Sequence, residues 1–240
     1  MFALVNFAGV NLPSMWVGVN IDSMTNSGSA KRETPYHHGD LRNALVRAAA
    51  ELAEHGGPEA VTVRAAARKV GVTPTAAYRH FTNHEQLLGA AQEQAQASLL
   101  GSMSEAVNSL APESDPIDRL NAAGRGYIAF ATREPGLFRT AFCESPWAAE
   151  PSDDNDAFGL LAKLLDDLVQ SGFMDPAHRP HAEIMAWSTV HGLASLLIDG
   201  ALSWLDDDAR EQAIAATLDG IQRGLATAPN AAGTPTGTTE

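Results

Sequence analysis

Residues 62–81 form the segment that most constrains how this chain can fold. Two short stretches with helical patterning are separated by a single glycine, Gly71, which interrupts the first stretch. Thr62 stands where a capping hydroxyl is needed at the start of the first helix. Thr73 and Pro74 mark the start of the second helix, because a capping hydroxyl is followed there by proline at the first helical position. The segment therefore predicts two short helices joined by a tight turn, the second running to about residue 81.

Small side chains stand on both sides of this turn. Ala67 lies four residues before the glycine, and Ala77 lies six residues after it. Two helices that cross closely at a steep angle need small residues at the crossing point and a glycine in the turn. The spacing is that of a helix-turn-helix, whose second helix can enter the major groove of DNA. An ordinary αα-hairpin in a helical bundle fits the same spacing, and spacing by itself does not separate the two.

Helical periodicity continues through the rest of the chain, so the predicted fold class is all-α. Alanine is abundant and runs of Val, Ile and Thr are scarce, a composition that favours helix over sheet. Asn83 and Gln86 resemble a capping box at the start of a long fourth helix. In the segment 181–204 apolar residues occupy every side of a helix, which predicts burial on more than one face. The other predicted helices cover residues 40–55, 115–131, 136–142, 158–168 and 208–225.

Charge is distributed unevenly along the sequence. The whole chain has 16 Lys and Arg against 29 Asp and Glu, a net charge of −13, which argues against a nucleic-acid binder. Residues 31–83 have eight basic and five acidic side chains, a net of +3, and the remainder therefore has a net charge of −16. This asymmetry indicates a DNA-facing head on an acidic body.

The two ends of the chain differ in composition from the middle. Residues 1–23 are apolar but have no Lys or Arg ahead of the apolar part, so they make a poor signal peptide. We expect either that translation starts at Met24, with an upstream extension before it, or that the chain begins with a disordered tail. The predicted domains are an N-terminal extension at 1–36, a DNA-binding head at 37–97, a C-terminal domain at 98–226 and a disordered tail at 227–240.

The amino-acid sequence of residues 40–88 resembles that of the tetracycline-repressor (TetR) family of transcriptional regulators. A first-helix stretch, LRNALVRAAAELAEHG, is followed by T-V-R-x-x-A-x-x-x-G-V, then by A-Y-R-H-F and N-H-E-Q-L-L. The Y-R-H-F ending is highly specific. The resemblance implies a three-helix DNA-binding head and a C-terminal helical bundle for ligand binding and dimerisation. It implies a repressor that a ligand releases from DNA. A TetR-like activator is the alternative interpretation.

The resemblance extends to individual residues of the head. Thr62 matches a phosphate-contacting cap, and Arg64 matches a position that often reaches a base edge, where Arg suits guanine. Tyr78 and His80 match phosphate-clamping positions, and Arg79 matches a base or phosphate position. The groove-facing start of the recognition helix corresponds to Thr73, Pro74, Thr75 and Ala76. His84 departs from the family, which usually has Lys there, so we expect DNA affinity to depend more strongly on pH.

The C-terminal part has a weaker signature. Residues 187–196, WSTVHGLASL, resemble the W-x-x-x-H-G signature of one TetR subgroup. The resemblance assigns the last two helices to a dimer interface. The partners it implies are double-stranded DNA with a palindromic operator, a second copy of the chain and an unknown small-molecule effector. The candidates for lining an effector cavity, or else for ordinary core, are Met103, Tyr127, Phe130, Phe138, Phe142, Trp147, Phe158, Met185, Trp187 and His191.

The fourth helix is expected to connect the two domains. Leu87 and Leu88, near its start, should pack on the small head, which needs additional apolar partners. Leu99 and Met103, near its far end, should reach into the C-terminal domain. A ligand between this helix and the aromatic residues of later helices would then move the head.

Other functions have less support in the sequence. Metal binding needs converging ligands, and His178 and His181 have no carboxylate at helical spacing to complete a site. His191 with Asp199 suggests acid–base catalysis and Cys143 suggests a nucleophile, but no oxyanion-type turn accompanies them. We therefore expect no metal, no cofactor and no enzymatic activity, and a small helical enzyme is the competing hypothesis. The globular part has no apolar run long enough for a membrane span, and we expect a cytoplasmic protein.

Overall fold

The computed structural model describes residues 38–144 and 156–226. Within these ranges the chain forms nine α-helices, two short 3-10 turns at Pro58–Ala60 and Pro176–His178, and no strand. The all-α prediction is therefore confirmed. The helices are α1 (His38–Gly56), α2 (Val63–Val70), α3 (Pro74–Tyr78), α4 (His84–Asn108), α5 (Pro116–Arg133), α6 (Pro135–Ala141), α7 (Ala157–Gln170), α8 (Arg179–Ile198) and α9 (Asp207–Leu225).

Helices α1 to α3 form a small head with a core of its own. Leu41, Leu45 and Ala49 of α1 are buried at the spacing of one helix face. Phe81, just after α3, is also buried, and the Arg42 guanidinium lies 5.1 Å from the centre of its ring, in cation–π geometry. The head core therefore combines small side chains with one large aromatic ring, and a cation covers that ring.

Two details at the end of the head differ from the prediction. Helix α3 ends at Tyr78 rather than near Phe81, because His80 N–H bonds the Ala77 carbonyl in a tighter turn, at 2.9 Å. The predicted capping box is half formed. Asn83 Oδ1 accepts from Gln86 N–H at 2.9 Å, but Gln86 Oε1 accepts from Thr82 N–H, at 3.0 Å, one residue before the expected donor. Gln86 therefore ties the turn after α3 to the start of α4.

Helix α4 belongs to both hydrophobic cores, as the sequence predicts. Leu87 and Leu88 are buried among the residues of the head. Leu99 and Met103, further along the same helix, are buried among the residues of the C-terminal body. Since an α-helix rises 1.5 Å per residue, the 25 residues of α4 extend over roughly 38 Å. One continuous helix therefore joins the two cores.

The body consists of α5 to α9 and the far half of α4. Helix α5 packs on α4, and α7, α8 and α9 enclose its other sides. Helix α8 is shorter than predicted, because it ends at Ile198 instead of continuing to Trp204. Leu202 N–H folds back to the Leu196 carbonyl at 3.1 Å. A Cβ at Gly200 would lie 2.8 Å from Leu196 Cα, so this turn requires the glycine.

A second junction between head and body lies at the start of α6. A Cβ on Gly136 would overlap the carbonyl oxygens of Ala53 and Glu54, near the end of α1. Leu137, the next residue, packs against both hydrophobic cores. At the other end of α6 the buried Gln92 of α4 donates to the Cys143 carbonyl at 3.1 Å. Helix α6 is thus fixed between α1 and α4.

Candidate functional site

The geometry of α2, the turn and α3 is that of a helix-turn-helix. Thr62 Oγ1 accepts from Ala65 N–H at 3.1 Å, and Thr73 Oγ1 accepts from Ala76 N–H at 3.3 Å, so both predicted caps are formed. Gly71 adopts the left-handed region at φ 79° and ψ 26°. Val72 N–H then bonds the Ala67 carbonyl at 2.9 Å, which closes the end of α2 in a Schellman motif.

Small side chains meet where the two helices cross. Ala66, Ala67 and Ala77 have no exposed surface. A larger residue at any of these positions would push α3 away from α2, because the core is packed without room for extra methylene groups. The close crossing leaves the opposite side of α3 facing solvent.

The ten residues predicted to contact DNA all lie in the described head, and every one has accessible surface. Ala76 and His80 are half-buried, and the other eight are exposed. The exposed ones come from both ends of the motif and from the start of α4, with Thr62 and Arg64 on α2, Thr73, Pro74, Thr75, Tyr78 and Arg79 around α3, and His84 on α4. Exposure is a requirement of a DNA contact, and these positions meet it.

One basic residue next to this surface was missed by the sequence reasoning. Arg42 of α1 lines a groove together with His80, Phe81 and Gln86. Its guanidinium lies over the Phe81 ring, in the groove that His80 also lines. No local sequence pattern indicates this, because Arg42 is 38 residues from His80 and only packing brings both to the same groove.

The body contains a cavity at its centre. The residues around it come from five helices, α4, α5, α7, α8 and α9, and they are Met103, Leu120, Asn121, Ala123, Gly124, Tyr127, Leu161, Ala186, Trp187, Val190, Leu218 and Ile221. No charged side chain is among these described lining residues. The cavity holds about 30 Å³, which is space for roughly two water molecules at about 10–15 Å³ each.

An aromatic cluster borders the cavity on the side of α6. Tyr127 contacts Trp187 edge to face, with ring centres 5.3 Å apart, and Phe142 contacts His191 at 4.8 Å. Phe138 stacks on His191 at 5.4 Å. Such contacts stabilise aromatic pairs beyond the area they bury. The cluster therefore connects α5 and α8 to the short helix α6.

A hydrogen bond lies at the centre of this cluster. Tyr127 Oη and His191 Nδ1 are 2.8 Å apart. Burial raises the pKa of the Tyr127 hydroxyl, and burial lowers the pKa of the His191 imidazole below its usual value of 6.5. Both groups are therefore neutral at neutral pH, and the hydroxyl and the imidazole share one hydrogen bond. A neutral pair suits an apolar interior.

The ten candidate pocket residues have different locations. Met103, Tyr127 and Trp187 line the cavity, and Phe138, Phe142, Phe158 and His191 belong to the adjoining aromatic cluster. Phe130 is buried in the body core but lines a surface groove beside α4, and Met185 packs against the core at its edge. Trp147 lies outside the described residues. The sequence did not identify Asn121, the polar lining residue beside Tyr127.

The residues considered for catalysis have other partners. Asp199 is paired bidentately with Arg139, with Arg139 Nε 2.8 Å from Asp199 Oδ2, and His191 bonds Tyr127 instead. Burial raises the pKa of the Cys143 thiol, which disfavours the reactive thiolate. Among residues 38–144 and 156–226 no three ligand-type side chains converge on a point that suits a metal ion.

None of the helices within residues 38–144 and 156–226 combines the length and apolarity needed to span a lipid bilayer.

A helix-turn-helix head joined by one long helix to an all-helical body is the architecture of a DNA-binding transcriptional regulator. Residues 45–91 match the family model of bacterial regulatory proteins of the tetR family. Residues 120–221 match the tetracyclin repressor-like C-terminal domain. The chain therefore belongs to the TetR family of DNA-binding transcriptional regulators. Its assignment to the W-x-x-x-H-G subgroup stays a prediction.

Relatives and solved structures agree with this assignment. The HTH-type transcriptional regulator YobS of Bacillus subtilis is 23% identical over 169 residues, which are 70% of this chain and 85% of that protein. The nucleoid occlusion factor SlmA of Vibrio cholerae is 30% identical over 99 residues, 41% of this chain and 49% of that protein. This chain thus matches only about half of the length of SlmA.

Among solved structures, a protein with unknown function from Rhodococcus sp. RHA1 is 28% identical, with a TM-score of 0.68 over 81% of this chain and 100% of that one. A TetR-family transcriptional regulator from Pectobacterium atrosepticum is 21% identical, with a TM-score of 0.62 over 82% of this chain and 100% of that one. At this identity the second likeness concerns the fold alone.

Proposed function

We propose that this regulator is a repressor that binds a palindromic operator as a homodimer and leaves it when a small molecule enters the body. The observation that supports this most strongly is the location of the central cavity. Met103 of α4 forms part of its wall, and so do residues of α8 and α9. One ligand would therefore touch both the helix that holds the head and the two helices assigned to dimerisation.

The small volume of the cavity supports a mechanical link between ligand and head. Protein interiors are close-packed and resist compression. A ligand that fills this space between the helices presses on its walls, and α4 is the wall element that continues into the head. Displacing α4 changes the separation of the two recognition helices in a dimer. Because half-sites lie a helical turn of about 34–36 Å apart, or a multiple of it, contacts are lost in both half-sites together.

The proposed DNA contacts are divided between positioning and base recognition. Thr62, Tyr78 and His80 contact phosphates and set the orientation of the head. Arg64 and the start of α3, residues 73–76, face base edges in the major groove. Arg79 contacts either a base or a phosphate, and His84 adds a contact at the start of α4. All of these groups are supplied by the described head, which has six basic and six acidic side chains over residues 37–97 and is therefore less acidic than the body.

We place the domain boundary within α4. The buried residues of the head end at Ala91, and those of the body begin at Leu99. A head at 37–97 and a body at 98–226 agree with this division. The effector is expected to be small and largely apolar, because Asn121, Tyr127 and Trp187 are the side chains of the described cavity wall that have a polar group.

The proposal is tested with the DNA that the protein itself selects. Fragments that co-purify with the full chain are sequenced, and the recurring site is used in binding titrations. We expect a near-palindromic site bound by two copies. Small molecules that raise the melting temperature of the free protein are then titrated into the complex. By linkage such a ligand weakens operator binding by a coupling of about 1–3 kcal/mol. Ligands that bind in the body and leave operator affinity unchanged at saturation would contradict ligand release.

A further inference from the structure

The arginines of the head and those of the body have different partners. Each of the seven arginines of the described body forms an ion pair, with a carboxylate oxygen at 3.9 Å or closer. The five arginines of the head are all exposed and have no carboxylate partner among the described residues, and they are Arg42, Arg47, Arg64, Arg68 and Arg79. A cation without a counterion on the protein is available to the phosphates of a nucleic acid.

Arg42 is fixed in position by an aromatic ring. Its guanidinium lies 5.1 Å from the centre of the Phe81 ring, and that ring is buried in the head core. A guanidinium over an aromatic ring keeps the N–H groups at its edge, which are the donors that form a fork on a phosphate. No hydrogen bond to another described residue occupies these donors. The cation is therefore held in place while its donors stay available.

The groove that Arg42 lines has two ends of different character. Its wall on α4 is formed by Gln86, Gly89, Ala90 and Glu93, which recur every three or four residues and so share one face of the helix. His80 lies at the Gln86 end, and Phe81, which directly follows His80, ties Arg42 to the same end. Glu93 lies about 10 Å further along α4 at 1.5 Å per residue. A phosphate is therefore attracted at the His80 end and repelled at the other.

We propose that Arg42 binds a phosphate of the operator backbone with its guanidinium fork, at the His80 end of this groove. This rests on the proposed function and adds a residue of α1 to the DNA contacts of α2, α3 and α4. The phosphate is the one that His80 contacts or a neighbour of it on the same strand. Because a phosphate contact contains no sequence information, Arg42 positions the head and does not select the bases.

Covering the Phe81 ring is the alternative role of this side chain. A long aliphatic stem is sufficient to cover an apolar ring, so this role does not require a charge at the tip. The exposed guanidinium with vacant donors is instead what a phosphate requires. The two roles differ in one measurable property, because only a phosphate contact releases counterions from DNA and makes binding depend on salt.

The salt dependence of DNA binding tests the contact. Each neutralised phosphate contributes about 0.9 to the slope of log affinity against log salt concentration. Arg42→Gln should reduce this slope by about one for each head, hence by about two for a dimer, and weaken binding about tenfold or more near 0.1 M salt. The loss should be the same for the selected operator and for a random-sequence duplex of equal length. Fluorescence anisotropy between about 50 and 200 mM salt measures the slope.

Two further variants of the full chain are the controls. Arg47→Gln removes the same charge from an exposed arginine of α1 that lies outside the groove, about 140° around the helix at 3.6 residues per turn. It should leave the slope nearly unchanged. Arg42→Lys retains the charge over the ring but loses the fork, so it should retain the slope and bind a few-fold more weakly. Urea denaturation of each variant establishes that the head is folded under the binding conditions.

The outcomes separate this contact from the proposed function. A slope that falls in Arg42→Gln and not in Arg47→Gln supports the contact. A wild-type slope in folded Arg42→Gln, or an equal fall in both variants, overturns it while leaving operator binding intact. If Arg42→Gln unfolds, Arg42→Lys decides, because weaker binding at an unchanged slope supports the fork and wild-type affinity overturns it. A wild-type chain that binds neither duplex contradicts the proposed function and this contact with it.

Discussion

The head and the body of this regulator have cores of different character. Among the described residues, half of the buried hydrophobic core of the head is alanine, seven residues of fourteen. The body core has six alanines among twenty-five buried residues, and the rest are mostly leucine, other large aliphatic side chains and aromatics. Small side chains bring α2 and α3 close together, whereas large ones form the walls of a cavity.

Under the proposed function, this difference corresponds to two mechanical tasks. A recognition helix must hold its side chains in a fixed arrangement to match base edges, and a tightly crossed pair of short helices does so. A sensor must change shape when a ligand enters, and a bundle with a small internal cavity can do so by moving its helices. The two parts remain connected through α4 and through the contact of Gly136 with α1.

The largest expected effect is a loss of operator affinity that leaves the body unchanged. The combined variant Arg64→Ala, Tyr78→Phe and His80→Ala should reduce operator affinity by a factor of about 100 or more, since single base contacts contribute about 1–3 kcal/mol each. The melting transition and the ligand response of the body should persist. Titration by fluorescence anisotropy measures this. If the triple variant binds the operator with wild-type affinity, these residues of the head do not form the DNA interface.

The single variants sharpen the division of roles within the head. Arg64→Ala should relax preference at one position of each half-site, because it removes a base contact. Tyr78→Phe should weaken all operator sequences alike, because a phosphate contact contains no sequence information. Competition between related operators distinguishes the two, and identical competition profiles would contradict the assigned roles.

The junction of the two regions should be sensitive to one methyl group. Gly136→Ala is expected to destabilise the protein by about 3 kcal/mol, because the new Cβ overlaps backbone carbonyls that cannot turn away. Gly101→Ala is the matched control and should raise stability by about 0.5–1 kcal/mol, since its Cβ meets no described atom within 4 Å. Urea denaturation of both variants tests the contrast. Equal midpoints would mean that the head and body do not touch at α6.

Removing one hydroxyl group should lower the stability of the protein more when the group lies in the body than when it lies in the head. Tyr127→Phe deletes the hydroxyl that bonds His191 Nδ1 and should lower stability by about 1–2 kcal/mol, because a partly buried ring nitrogen loses its hydrogen-bond partner. Tyr78→Phe removes an exposed hydroxyl from the head and should change stability by less than about 0.5 kcal/mol. Comparable losses in the two variants would show that burial does not distinguish these hydroxyls.

The smallest expected effect is on how stability depends on pH, and it arises from a residue of the body. Burial lowers the pKa of His191 in the folded protein below its usual value of 6.5, so between these two values the unfolded chain binds more protons. Stability should therefore fall as the pH drops below about 6.5, and this contribution should level off below the folded pKa. Above pH 6.5 the imidazole is neutral in both states and contributes no slope. Melting curves of wild type and His191→Gln between pH 5 and 8 test this, and an unchanged slope in the variant would assign it to other groups.

Local signals made the head predictable. The caps at Thr62, Thr73 and Asn83 form as expected, because each depends on residues within three positions along the chain. The predicted ends of α3 and α8 were wrong, since both end in turns stabilised by contacts outside the helix pattern. The cavity was anticipated only in part, because aromatic residues in the body serve equally as core or as lining.

The sequence by itself determined the helices, the helix-turn-helix and the family, since these depend on short-range spacing of caps, glycines and apolar residues. Only the tertiary structure decided which side chains surround the cavity, that Gly136 meets α1 and that Arg42 and His80 line the same groove. It also revealed that Ile184 and Leu196, indistinguishable from core residues in the sequence, face solvent. The physical reason is that burial depends on how distant helices pack, and hydrophobic periodicity records which face is apolar but not what covers it.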